Sequence, residues 1–593
     1  MKENIEEKYN WNLEDIFKTE NDFQLAKQSI EKNLEDFERY KGILCDNADT
    51  LYSCYSLYEE TLKIFEKVYS YGMFKYHLNM ADQEGIKKFK EVENLSAKFE
   101  TAISFITPEI TYAEEDKILG FFQEKAELKR YERDIKEILE KKKHILSKQE
   151  EELLSNYSEV FSAPENIFDI LTNAEFKFGD LIDENGNKVQ LTDATYTIYL
   201  KSQNENVRKQ AFSLMYEKYK EYINTISEIY LANVKETSIT AKLRKYTSSL
   251  EMETEYDDAN IKVYNALMDG VNKNLAINHE FVELKKKLLN KNDFHMYDLY
   301  VNPFEEEKDE ISFESAKQEV LEALNILGKD YTDKLREAFD SRWIDVYEKP
   351  NKRGGAYSSG VYGVHPFVLM SFTNSKRDVS TIAHELGHSL HSYYSNEAQN
   401  IIDANYTIMV AEVASTVNEI LLSEYQMAKE ENPKKKAEII YELLEMIRAT
   451  FYRQSMFAEF EKIVHEKIEN SEILASEDLN NIYYSLNEKY FGDKIIIDKE
   501  IQYEWARIPH FYTDFYVYKY ATGISAAICI ASKIINKEEG FVDKYINMLR
   551  QGKMKKSVDL LKMVDVDLEN PETYTKTAEF YKEKIEDLKQ LIK

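Results

Sequence analysis

Helix breakers are scarce in this chain, with 8 prolines and 17 glycines spread over 593 residues. Proline removes an N–H and clashes with the preceding turn, and glycine weakens a helix entropically, so a chain poor in both can run helical over most of its length. The 43 tyrosines and 30 phenylalanines supply large rings to pack between such helices. From Glu14 to about Glu175 the pattern is helical, and "EKAELKRYERDIKEILEKKKHILSKQEEELL" alternates acids and bases at i, i+4 as a solvated helical layer would. "FKFGDLIDENGNKVQLT" breaks it: two short runs flank Glu184-Asn185-Gly186-Asn187, a hairpin turn signal. The expected division is therefore 1–190, an N-terminal helical region ending in a β-hairpin, and 191–593, a catalytic region. A second irregular zone, Trp343 to Thr373, holds glycine-rich loop and the apolar run "PFVLMSF", a short buried or edge strand.

Composition narrows the partners. A 43% hydrophobic content allows a large core, while 78 Lys+Arg against 108 Asp+Glu leave a net charge of -30. Such a surface repels phosphate backbones and anionic lipid, so nucleic acid and membrane are poor partners. Cys45, Cys54 and Cys529 form no CxxC pair, which argues against disulfides and a thiolate zinc site. The charged N-terminus "MKENIEEKYNWNLEDIF" has no signal-peptide core, and "ATGISAAICIASKII" is too short to span a bilayer, so the expected compartment is the cytoplasm.

The chemistry concentrates in "DVSTIAHELGHSLHSYY", where three of the chain's ten histidines, His384, His388 and His391, fall within eight positions. A shuffled chain of this composition would contain HExxH with a probability of roughly 0.03 at most. At about 100° per residue the three imidazoles lie within about 60° of each other, opposite Val379, Ile382, Ala383, Leu386, Leu390 and Tyr393. Histidines at i, i+4 can offer nitrogens to one ion, and neutral imidazole suits Zn²⁺. Glu385, turned about 100° away, then lies beside the ion, where it can take a proton from an activated water. A catalytic zinc needs a third protein ligand. The HExxHxxGxxH pattern would place a histidine at 394, which is Tyr394, and His391 reads as a neighbour of the site. The following helix, "NYTIMVAEVASTVNEILLSEYQ", offers Glu412, Ser415, Thr416 and Glu419 on the face opposite Val410, Val413, Ala414, Val417 and Leu421. Glu412 lies 24 residues after His388, room for a helix end, a turn and an antiparallel return; Glu419, two turns on, could orient a ligand histidine.

These residues resemble the thimet oligopeptidase (M3) family of zinc peptidases, particularly its oligoendopeptidase F branch. "DVSTIAHELGHSLHSYY" with "VAEVASTVNE" carries the resemblance, supported by "YNWNLEDIF", "KRGGAYSSGVYGVHPFVLMSF" and "RIPHFYTDFYVYKYATGISAA". It implies a mainly α-helical, zincin-like fold with a small sheet beside the active-site helix and an internal channel admitting short unfolded peptides. It also implies one Zn²⁺ per chain on His384, His388 and Glu412, Glu385 as general base, and cleavage of internal peptide bonds.

Two further groups are read beside that core. The strand "HPFVLMSF" offers an edge to which an extended peptide could add, with His365 on the substrate side. In "HFYTDFYVYKY", Tyr512, Tyr516 and Tyr520 would form one stripe if helical, with Tyr518 pointing elsewhere. By the resemblance, His510 and Tyr516 stabilise the oxyanion, and Tyr512 and Tyr520 contact substrate. A helical M32-type carboxypeptidase is the nearest alternative, but only an isolated "HPF" at His365 to Phe367 answers to its motifs. A helical binding protein without catalysis is the other, and the intact HExxH with Glu412 argues against it.

Overall fold

The computed structural model describes residues 6–304 and 310–592. Helices dominate it, and strands occur in two small sheets. The expected hairpin is present: β1 (Asp180–Ile182) and β2 (Lys188–Gln190) pair antiparallel, with Asp180 opposite Gln190. Gly186 takes a φ of 79° in its turn, and the Asp183 carboxylate accepts the N–H groups of Asn185 and Asn187 at 2.9 and 2.8 Å.

The chain divides into two compact units, each assembled from three stretches. One comprises Met1–Ile145, Lys308–Ala428 and Ile530–Val566; the other comprises Leu146–Glu307, Lys429–Cys529 and Asp567–Lys593.

In the first unit, helices Glu20–Phe37, Ala48–Leu78 and Gln83–Ile103 start at capping side chains of Thr19, Asn47 and Asp82. Phe23, Ile30, Val68, Phe74 and Val92 meet between them, and the same core takes in Trp11, Phe367 and Leu369. The acid–base-rich stretch is a succession of short turns and helices, Ala126–Tyr131, Glu132–Lys141 and Lys142–His144, with Leu128, Tyr131, Ile135 and Leu139 buried beneath. Strands β3 (Ile344–Tyr347), β4 (Tyr357–Ser359) and β5 (Phe367–Phe372) form a sheet in the order β3-β5-β4. β5 runs parallel to β3 and antiparallel to β4. The strand expected to present an edge is therefore the central one, because its backbone is paired on both sides; the edges are β3 and β4. The N-terminal signature anchors this sheet. Trp11 Nε1 donates to the carbonyls of Trp343 at 2.9 Å and Val368 at 2.8 Å, and Asp15 pairs with His365 Nε2 at 3.1 Å.

The second unit is built on the 39-residue helix Glu205–Leu243, against which helices Ala163–Asp169 and Arg453–Glu469 pack. The first part of "ATGISAAICIASKII", up to Cys529, lies here in helix Tyr518–Ile535, with Ile524 and Ile528 buried. Among the described residues no helix is long and apolar enough to cross a membrane.

Candidate active site

HExxH lies within helix Lys376–Ala398, which leaves the sheet through a capping box between Ser375 and Asp378. Val379, Ile382, Ala383, Leu386 and Leu390 are buried as their periodicity predicts, and so are Glu385, Ser389 and His391. The chain returns as helix Ile408–Lys429, with Val410, Val413, Ala414, Val417 and Leu421 buried. Gly387, the "G" of "HELGH", is where the two helices meet. A Cβ there would stand 2.6 Å from Ser415 Cα and 2.7 Å from the Ala414 carbonyl oxygen. Asn418 adds a second tie: its side-chain amide donates to the Ala383 carbonyl at 3.0 Å and accepts from Tyr331 Oη at 3.0 Å. Neither residue was singled out in the sequence; the scarcity of glycine could have flagged Gly387.

This crossing brings His384, His388 and Glu412 together, the one group of three potential metal ligands that converges among the described residues. The two Nε2 atoms are 3.2 Å apart, and Glu412 Oε2 is 3.5 Å from His384 Nε2 and 3.6 Å from His388 Nε2. Donors on a tetrahedral ion at 2.0–2.1 Å stand about 3.3 Å apart, so both the donor set and its spacing fit Zn²⁺. The Glu412 side chain is 42% exposed, leaving the cluster open on one side.

Supporting contacts fix both rings. His384 Nδ1 is 3.1 Å from Glu419 Oε2, and Ser380 Oγ donates to the other Glu419 oxygen at 3.1 Å. Burial opposes charge on His384, but Glu419 and the neighbouring carboxylates outweigh it and raise the ring to about 9. Burial and the adjacent His384 charge lower His388, whose ring also has a backbone hydrogen bond to Ala411. Glu385 is 7% exposed; burial first, then the charges of Glu412 and Glu419, push its carboxyl up to about 7 against the pull of His384. The Ser358 backbone of edge strand β4 is hydrogen-bonded to that carboxylate, and Ser358 Oγ lies 2.8 Å from Ser389 Oγ on the histidine helix. Gly360 keeps this approach open, because a Cβ there would stand 2.8 Å from Ser392 Cβ.

The remaining predicted residues lie in other surroundings. His391 is buried and neutral, its ring stacked on Tyr406 at 3.6 Å, and burial pushes it down to about 3. His365 stacks on Trp343 at 5.0 Å besides its pairing with Asp15. Tyr512 is 8% exposed and stacks on Phe168 at 4.5 Å.

The tyrosine stripe does not form. A short turn, Pro509–Tyr512, is separated from helix Tyr518–Ile535 by Phe515, whose φ of 52° is incompatible with a continuous helix. For a non-glycine residue that conformation costs roughly 1–2 kcal/mol. Instead His510, Tyr516 and Tyr520 cluster, with ring centroids 6.1 Å (His510–Tyr516), 6.0 Å (His510–Tyr520) and 5.6 Å (Tyr516–Tyr520) apart.

Beneath this turn lies a group of carboxyls. Burial, then Asp514 and Asp257, raises Glu253 to about 8, with Glu236 acting in the same sense and Lys519 opposing. The folded value lies above that of the unfolded chain, so the stabilisation is present below about pH 4.5 and is lost as pH rises towards 8. Glu253→Gln is therefore expected to stabilise the protein by roughly 1–3 kcal/mol at pH 8 and to have little effect near pH 4.5. Thermal melts at the two pH values check this; equal shifts at both would rule the explanation out.

Comparison with known proteins places the chain. Residues 198–580 match Peptidase family M3, and residues 109–178 match Oligopeptidase F. The chain belongs to peptidase family M3. It is 39% identical to oligopeptidase PepF of Bacillus subtilis over 98% of this chain and 87% of that one. To the oligoendopeptidase F homolog of Borreliella burgdorferi it is 36% identical over 99% of each. The crystal structure of oligoendopeptidase-F from Enterococcus faecium superposes with a TM-score of 0.74 at 30% identity, covering 96% of this chain and 99% of that one. The M3 assignment makes the chain a peptide hydrolase of the oligoendopeptidase F type.

Proposed function

We propose that this M3 peptidase is a zinc-dependent oligoendopeptidase that cuts internal bonds of short unfolded peptides in the cytoplasm. The observation that carries the reading is the convergence of His384, His388 and Glu412 at the spacing of a tetrahedral ion's donors. One Zn²⁺ per chain held there would polarise the scissile carbonyl and acidify water. Glu385, buried beside the three converging donors and not one of them, accepts the water's proton and delivers it to the leaving amine. Glu419 fixes the His384 ring through Nδ1, leaving Nε2 for the ion. His510 and Tyr516 donate to the developing oxyanion and Tyr520 contacts substrate, roles that rest on the resemblance of their segment to the family. Tyr512 and His365 are the further substrate-contacting residues of this reading, each with its ring also stacked on a neighbour, Phe168 and Trp343.

Metal analysis combined with mass spectrometry of early products from one quenched peptide tests the proposal. About one zinc per chain, activity lost to a chelator and restored by zinc, and cuts at internal bonds are expected. Protein that neither holds zinc nor regains activity with it would favour a helical binding role. A ladder of single-residue losses from the C-terminus would favour a carboxypeptidase.

The ligand assignment makes a ranked prediction. Glu412→Gln exchanges a charged donor for a neutral amide and should weaken zinc more than Glu419→Gln, which loses only the support of His384 at about 10- to 100-fold. Titration of both variants against a competing chelator gives the order. Loss of metal from Glu419→Gln alone would mean that the return helix is read two turns out of place.

A further inference from the structure

The turn carrying Tyr516 is held by side chains distant in sequence. Asp514 accepts from Asn233 Nδ2 at 2.9 Å and from Thr237 Oγ1, and it faces His465 Nε2 at 3.3 Å. Phe515, 1% exposed, packs its ring on His465 at 4.4 Å and on Tyr264 at 5.7 Å. Its N–H donates to Glu461 Oε1 at 3.0 Å. Two consecutive residues are thus tied to helices Glu205–Leu243, Ile261–Lys273 and Arg453–Glu469. Tyr516 follows directly, in the left-handed exit from Phe515.

Glu461 is an unusual choice for this anchor. It is fully buried, and its Oε2 has no hydrogen-bond partner among the described residues. A carboxylate anion with an orphaned oxygen, facing Asp514, carries a heavy desolvation and repulsion penalty, and burial with that neighbouring charge raises the group well above the ordinary carboxylate range. What the neutral acid offers the turn is one carbonyl-type oxygen at a fixed place. An apolar side chain there would leave the Phe515 N–H buried without an acceptor, and the strained backbone would lose the bond that compensates it.

We propose that Glu461 is a positioning residue for Tyr516: by accepting the Phe515 N–H it holds the left-handed turn that sets the direction of the Tyr516 side chain. This rests on the reading that Tyr516 acts on the substrate. The acceptor's position matters, and its acidity does not.

Zinc-loaded full-length protein carrying Glu461→Gln, Glu461→Leu, Glu461→Asp, Tyr516→Phe or the double change Tyr516→Phe/Glu461→Leu is compared for kcat, KM and metal content on one quenched peptide. Glu461→Gln keeps the acceptor and is expected to hold kcat within about twofold of wild type. Glu461→Leu is expected to lower kcat roughly tenfold or more with KM and zinc little changed, the signature of an interaction made in the transition state. Glu461→Asp, whose oxygen is drawn back by one methylene, should fall in the same direction and serves if the leucine variant does not fold. The double variant should be no slower than Tyr516→Phe alone, because the two residues act as one unit. Wild-type kcat in folded Glu461→Leu or Glu461→Asp overturns the proposal, as does a double variant in which the two losses multiply. Wild-type kcat in Tyr516→Phe removes the reading beneath it, a failure visible separately from that of Glu461.

Discussion

Glu385→Gln is expected to bind zinc normally and to turn over peptide at least roughly 10²-fold more slowly, the scale on which a positioned general base contributes. The metal should stay because Glu385 is not one of the three converging donors. The fold should stay because glutamine has the same shape and its amide oxygen can keep the hydrogen bond from the Ser358 backbone. What glutamine cannot do is accept a proton. The natural carboxylate can accept one and give it up again. Zinc content and kcat measured on one preparation decide the matter. Turnover close to wild type would remove Glu385 from the mechanism, and loss of zinc would place it among the ligands.

Gly387→Ala, the smallest change to the motif, is expected to disable the site by a different route. The new Cβ would meet Ser415 Cα, the Ala414 carbonyl oxygen and Ser415 N at 2.6, 2.7 and 2.8 Å. All three are backbone atoms, so no side chain can swing aside, and the helices must part by nearly 1 Å to restore ordinary contact. Overpacking of this kind costs about 1–3 kcal/mol in stability. The separation also draws Glu412 away from the two imidazoles, because the ligands are divided between the helices that part. Zinc affinity should therefore fall by at least about tenfold, as ligand geometry tolerates only a few tenths of an ångström. A competing-chelator titration and thermal melts with and without zinc measure both effects. Wild-type zinc affinity in this variant would show that the crossing does not set the ligand geometry.

Much of the site was legible because its signals are local. HExxH declares itself by i, i+4 spacing within one helix, and the polar face of the next offers Glu412 and Glu419, of which the resemblance to the family singles out Glu412 as the ligand. Periodicity also located the apolar core side of both helices, though not the burial of Glu385, His391 or Ser415 on the polar side, and an Asn-Gly turn located the hairpin. The helical class followed from the lack of breakers, since helix hydrogen bonds close within four residues and need no distant partner.

What only the tertiary structure decided are relations between segments far apart in the chain. "HPFVLMSF" is recognisable as a strand from its own residues, but its place between β3 and β4 depends on partners that local pattern does not name. The three-stretch makeup of each unit has the same origin, as contacts across hundreds of residues leave no periodicity. His391 shares a face with His384 and His388 by angle, yet it is buried against Tyr406, a residue of the connection that follows its helix. The tyrosine register fails at Phe515, where an acceptor 54 positions away supports a backbone conformation that local propensity disfavours. The sequence by itself determined which groups can do chemistry, because residue type and helical spacing suffice for that. Folding decided which of them meet, because that depends on pairing and close approach between segments that carry no mark of each other.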